Sequence, residues 1–306
     1  MSWLFFAIAT TLLWGSAELF YKMGARPEEK YSHLKICVCV GAVMGIHAMF
    51  TLLTQDIHYN PLNILYYLPV SLLYMISMAF SYFGMRFLEE SISDPIENTS
   101  GAICSLLCVL ILKETLSALS IVAIVVILAG VLGVGFLENS GDTPRKRHLG
   151  KKLAIIAFCM PFVYALLDAL GSFLDIFYLD DFASTPLIGV TEETLEAVAN
   201  TSYELTFALF ALGLFLFMKT KNVNFGPIRQ NRHKLLAAVF ETAGQFTYVY
   251  ALSGNGVIAA PIISSVCIVS LLLSRIFLKE KLSWKTYVFI AVVIIGILLL
   301  AISEEL

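Results

Sequence analysis

The chain has 306 residues, 58% hydrophobic and only 14% charged, with a formal net charge of −3. Its mean hydropathy of +0.83 excludes an ordinary water-soluble domain, which is about half apolar and about a quarter charged. Nothing basic and aromatic-interleaved points to nucleic acid. The six cysteines (Cys37, Cys39, Cys104, Cys108, Cys159, Cys267) sit inside apolar runs without metal-ligand spacing, so they read as packing residues and no metal or cofactor is expected.

The apolar residues gather into runs of about 20, the length that crosses a hydrocarbon layer as a helix. Ten spans are predicted, at 3–23, 34–54, 64–86, 94–112, 117–137, 152–178, 201–218, 234–253, 258–278 and 284–302. The first has no basic leader, and Glu18 and Lys22 interrupt it, so it reads as a retained membrane helix and not a cleaved signal. Two connections are long. The basic stretch 139–152 divides the chain near its middle; the acidic stretch 179–204 ends in what reads as a surface helix leading into span 7.

The hexapeptide "LKETLS" at 112–117 returns as "LKEKLS" at 278–283. A shift of 166 residues superposes them and also brings Pro95-Ile96 onto Pro261-Ile262, Gly130 onto Gly296, Phe80 onto Phe246 and Tyr82 onto Tyr248. Leucine-rich helices match each other by chance, but not with a proline and a Lys-Glu pair in one register. The chain therefore reads as an all-α membrane protein of ten transmembrane helices, built as two five-helix repeats over 1–138 and 152–306, joined by a basic linker at 139–151. An odd number of spans returns the second repeat inverted, the arrangement found in secondary transporters. Of the 20 Lys and Arg, all but Lys113 fall in or beside the loops after spans 1, 3, 5, 7 and 9. Those loops are predicted cytoplasmic and both termini extracytoplasmic, in a multi-pass protein of the cell membrane.

Trp14-Gly15-Ser16 in span 1, the leucine-rich ends of spans 4 and 9 with Leu-x-Glu-x-Leu after each, and the five-plus-five arrangement resemble the drug/metabolite transporter superfamily, in its EamA-like branch. The resemblance covers essentially the whole chain, although Pro95 and Pro261 lie near the starts of spans 4 and 9 instead of near their Leu-x-Glu ends. It implies a small-molecule transporter with a central cavity lined by spans 1, 3, 4, 6, 8 and 9.

Carboxylates in lipid cost about 2.5–3.5 kcal/mol each at a helix centre, so they are expected to face a wet cavity. Glu241 and Asp168 lie deepest, and both are expected to bind substrate and to carry a coupled proton. Trp14 and Glu18 stand at i and i+4 in span 1, and Tyr164 and Asp168 repeat that aromatic-then-acid step in span 6. Gln245 and Tyr248 extend a stripe from Glu241; Tyr74 and Ser77 with Ser81 share a face of span 3, and Ser264 lies beside Pro261. Acids beside aromatic faces suit an organic cation. The expected substrate is thus a cationic or zwitterionic amine, moved by alternating access in exchange for protons, with neutral amino acids or other metabolites as the alternative. Asp175 reads as a solvated helix end, Glu204 as interfacial and His47 as a packing residue. No catalytic motif of the His-Glu-x-x-His kind occurs, so an enzyme is not expected; a channel or scaffold is the remote alternative. Gly41 and Gly45 form a small-residue face, packed within a monomer or across a homodimer.

Overall fold

The computed structural model describes residues 2–24, 29–84, 96–138, 151–179, 182, 185–279 and 283–303; Pro95 and the linker from 139 to 150 lie outside the described residues. These residues form helices: α1 (Ser2–Gly24), α2 (Ser32–Thr54), the short α3 (Asn63–Tyr66), α4 (Leu68–Gly84), α5 (Ser100–Leu107), α6 (Ala118–Glu138), α7 (Lys151–Leu179), α8 (Leu195–Thr220), α9 (Arg232–Ile263), α10 (Val266–Phe277) and α11 (Trp284–Ser303). No strand occurs among the described residues. Six stretches are long and apolar enough to cross a membrane, within α1, α2, α7, α8, α11 and the run from Ile228 to Ile263; α4, α5 with its extension, α6 and α10 are shorter apolar helices.

The shorter helices have local causes. Thr99 N–H reaches back only three residues to the Ile96 carbonyl, and Ser265 N–H likewise to Ile262, so tight turns interrupt the chain at Asn98-Thr99 and Ser264-Ser265. The two turns lie 166 residues apart, the same shift that superposes the two hexapeptides. Pro261 lies inside α9 and removes a backbone donor just before the second turn. The run Arg232–Ile263 is two helical segments joined at a kink, where Asn255 (φ −165°, ψ 75°) leaves the helical conformation inside the connection expected between spans 8 and 9; the second segment, the start of span 9, ends at Ile263 before the turn at Ser264-Ser265. Span 3 is divided at Tyr67 between α3 and α4. Span 7 starts earlier than expected: α8 begins at Leu195, and Leu195, Ala197, Val198 and Ala199 are buried, so 195–200 is the buried start of α8 and not a surface helix.

The repeated hexapeptide is a stop-and-start signal. A π turn over Cys108–Leu112 extends α5 and ends at Lys113, in the left-handed conformation with φ 64°. Lys279, just past α10, adopts the same conformation with φ 57°. Each copy then opens the next helix with a serine: Ser117 Oγ accepts from Ser120 N–H at 3.0 Å, and Ser283 Oγ accepts from Thr286 N–H at 3.1 Å.

Packing is antiparallel and crosses between the halves. α1 packs along α9 and touches α10; α4 packs along α7; α5 touches α7 and α9; α2 packs along α8, and α6 along α11. Glycines set the closest approaches. A Cβ on Gly130 would lie 2.5 Å from Val293 Cγ2 and 3.2 Å from the Phe289 carbonyl, while one on Gly296 would lie 2.6 Å from Ile127 Cγ1 and 3.2 Å from the Ala123 carbonyl. Phe289 and Val293 are Ala123 and Ile127 shifted by 166, so the two contacts are reciprocal. Gly41 and Gly45 meet Phe207, Ala211 and Ala208 of α8, which places the small-residue face inside the chain. Five of the cysteines are buried, as packing residues are; Cys159 is exposed.

Candidate functional site

Helices α1, α4, α7 and α9 converge on a chamber of about 970 Å³, a volume that includes space open to solvent. It is lined from α1 by Trp14, Glu18 and Tyr21; from α4 by Tyr74, Met78, Ser81 and Tyr82; from α7 by Tyr164, Asp168 and Ser172; and from α9 by Glu241, Gln245 and Tyr248. Tyr203 of α8 closes one side. The two helix breaks supply Glu97, Asn98, Ser100, Gly101, Ser264 and Val266. They touch there: Gly101 N–H donates to Ser264 Oγ at 3.0 Å.

Of the residues expected to bind substrate, Glu241, Asp168, Trp14, Glu18, Tyr164, Gln245, Tyr248, Tyr74 and Ser264 all face this chamber. Ser77 does not. It is fully buried, and its hydroxyl donates to the Tyr74 carbonyl of its own helix at 2.9 Å. Ser81, one turn further on, points inward and donates to Glu97 Oε2 at 2.8 Å.

Four carboxylates line the chamber, Glu18, Glu97, Asp168 and Glu241, together with seven aromatic rings and no lysine, arginine or histidine among the described residues. Glu241 is held between α1 and α9: the Tyr21 hydroxyl donates to its Oε2 at 3.4 Å, and Trp14 Nε1–H donates to its backbone carbonyl at 3.2 Å. Ser100 and Tyr164 are the polar neighbours of Asp168 on the chamber wall, so the i, i+4 pair predicted in span 6 stays together. Trp14 and Tyr248 lie ring on ring, their centroids 4.8 Å apart.

Toward the far end the chamber is closed by hydroxyls. The hydroxyls of Tyr74, Tyr248 and Ser172 form a hydrogen-bonded triangle, 2.7 Å between the two tyrosines and 3.0 and 2.8 Å from them to Ser172 Oγ. Beyond them the wall is tight, since a Cβ on Gly254 would lie 2.5 Å from Trp3 Cβ and one on Gly256 would lie 2.3 Å from Ile176 Cγ1. The chamber therefore belongs to the half of the bundle that bears Gly24, Gly84, Lys151 and Arg232, the side of the basic loops.

Two acidic residues were placed differently by the sequence. Asp175 is not a solvated end: it is fully buried and takes the Tyr67 hydroxyl on Oδ1. Glu204 is not interfacial: it too is fully buried, with His47 Nδ1 2.8 Å from each carboxylate oxygen and Asn200 Nδ2 donating at 3.1 Å. His47 thus links α2 to α8 through Glu204, as a hydrogen bond that becomes an ion pair when the imidazole is protonated.

No curated protein matches the chain. A solved structure titled "Crystal structure of protein" superposes with a TM-score of 0.65 over 96% of this chain and 94% of that one, at 13% identity, which is a likeness of fold. The EamA-like transporter family matches in two stretches, residues 1–136 and 183–302. With apolar helices throughout and a polar chamber between them, the chain is a multi-pass membrane protein of the transporter kind, and it belongs to the EamA-like transporter family, within the drug/metabolite transporter superfamily.

Proposed function

We propose that the protein is a secondary active transporter of a small cationic or zwitterionic amine. The observation that carries this reading is the chamber's composition: four carboxylates, seven aromatic rings and no basic side chain among the described residues. Such a chamber attracts an ammonium group through charge and through aromatic faces, at about 0.5–2 kcal/mol per face. Glu241 and Asp168 are the anionic anchors; Trp14, Tyr164, Tyr248 and Tyr74 are the faces, and Glu18, Gln245 and Ser264 complete the polar lining. A carboxylate that holds either a proton or an ammonium group, and never both, makes the exchange a proton antiport through Glu241 or Asp168.

The transport cycle is alternating access between two inverted five-helix halves, with the division at 139–151. Three features support this reading: the hexapeptide with its two left-handed lysines, the turns at Asn98-Thr99 and Ser264-Ser265, and the reciprocal glycine contacts of α6 and α11. Broken helices meeting at a central site are how transporters expose backbone dipoles to a substrate.

The test is counterflow of labelled putrescine or choline in proteoliposomes, with neutral amino acids as competitors. Wild-type protein exchanges labelled for unlabelled amine in counterflow and, during net amine uptake, releases protons into the compartment the amine leaves, whereas Glu241→Gln folds but does neither. Exchange of labelled alanine with no response to either amine would sink the cation reading, and no saturable exchange of any solute would sink the transporter reading.

A further inference from the structure

The hydroxyl layer of Tyr74, Ser172 and Tyr248 ends the chamber, but it does not end the line of polar groups. On α7, Asp168, Ser172 and Asp175 follow at i, i+4 and i+7, one face of the helix over a rise of about 10 Å. Antiparallel to them, Tyr74 meets Ser172 and Tyr67, seven residues earlier, meets Asp175. The polar stripe therefore runs from the chamber, through the closing layer, to a second carboxylate on the far side.

That carboxylate is unusually placed. Asp175 has no exposed surface, and while Oδ1 takes the Tyr67 hydroxyl, Oδ2 is buried with no hydrogen-bond partner among the described residues. A buried polar atom without a partner is costly, and a fold keeps one where another state or a ligand satisfies it. Aromatic rings flank it: Tyr67 and Tyr178 meet edge to face at 5.7 Å, and Tyr178 stands one turn on from Asp175 along α7. An acid beside aromatic faces is the same chemistry as Trp14 with Glu18 and Tyr164 with Asp168. The segment above is pinned to the bundle, because Asn63 Nδ2 donates to the Ile188 carbonyl at 3.0 Å and its Oδ1 accepts from Ile188 N–H at 2.9 Å. Tyr67 is the hydrogen-bond partner of Asp175, and no basic residue pairs with it among the described residues.

We propose that Asp175 is a second cation-binding site, an outer station on the same path, closed in this conformation and offered to the substrate's ammonium group when the Tyr74–Ser172–Tyr248 layer parts. It rests on the amine-transport reading and adds a residue that the chamber does not contain. In the closed conformation Asp175 has no access to ligand, so its role is confined to exchange between the two sides.

The experiment compares wild type, Asp175→Asn and Glu241→Gln with labelled putrescine and labelled choline, measuring equilibrium binding to purified protein and counterflow in proteoliposomes. Thermal unfolding of each variant reports folding. Asp175→Asn is expected to bind with wild-type affinity yet lose about tenfold or more in exchange, whereas Glu241→Gln loses both binding and exchange. A purely structural Asp175 would lower thermal stability and binding together, or leave exchange intact; either outcome overturns the outer station. If Glu241→Gln behaves as expected while Asp175→Asn exchanges like wild type, the transporter reading survives and this inference alone fails. If wild-type protein neither binds nor exchanges either amine, both fail.

Discussion

The indole of Trp14 lies against Gly244, so that a Cβ at position 244 would stand 2.3 Å from its Cδ1 atom. The same ring packs on Tyr248 and donates to the Glu241 carbonyl. Gly244 is thus the seat on which the chamber's largest aromatic face rests. Gly244→Ala must displace either the ring or α9, at a cost of about 1–3 kcal/mol in stability. Amine exchange falls with it, and a thermal melt paired with counterflow measures both; unchanged exchange would show that the position of Trp14 does not matter.

The reciprocity of α6 and α11 can be read out directly. Gly130→Ala and Gly296→Ala each push a methyl into the facing helix at nearly the same distances, 2.5 and 2.6 Å. Each is expected to destabilise by about 1–3 kcal/mol, and by closely similar amounts. Thermal unfolding in one detergent gives the comparison, and a large disparity would argue against equivalent halves.

His47 and Glu204 make a different case. Glu204 is fully buried, while about a third of the His47 side chain is exposed. His47→Ala leaves the carboxylate with Asn200 alone and costs about 1–3 kcal/mol. Glu204→Gln leaves no buried charge behind and costs less. The order of the two melting temperatures checks this, and the reverse order would mean that the pair is not ionic in the folded protein.

Glu29 links two lysines of the basic-loop side, Lys35 and Lys234, both buried. Burial alone would push its carboxyl up; the two ammonium groups more than reverse that and hold it below its ordinary 4.5. A group depressed in the folded state adds stability above its unfolded value and gives it up as pH falls through the lower folded one. Melting temperature is therefore expected to drop as the pH is lowered below about 4.5, and Glu29→Gln should flatten that part of the profile. The same variant removes the carboxylate that Lys35 and Lys234 share and lowers stability at neutral pH by about 1–3 kcal/mol.

Much of the chamber was legible because a carboxylate in an apolar helix has few other uses, and because i, i+4 spacing fixes which aromatic stands beside it. Ser77 misled because a hydroxyl on the right face can turn back to its own helix, and nothing in the spacing tells it from Ser81. Tyr203 and Glu204 were hidden by the acidic composition of 179–204, which reads as loop although its last turns are a buried helix. Asp175 was misjudged for a related reason. It sits near a helix end, where solvent is the usual neighbour, but Tyr67 reaches it from 108 residues away in sequence, a contact that no local pattern announces.

The place where the two interrupted helices touch has a mechanical consequence. A Cβ on Gly101 would lie 2.4 Å from the Ala260 carbonyl and 2.1 Å from Ser264 Oγ, so backbone rests on backbone with no side chain between to flex. Such a crossing cannot compress, and it slides only by giving up the bond from Gly101 to Ser264. Of the contacts around the chamber, this joint is among the least able to give.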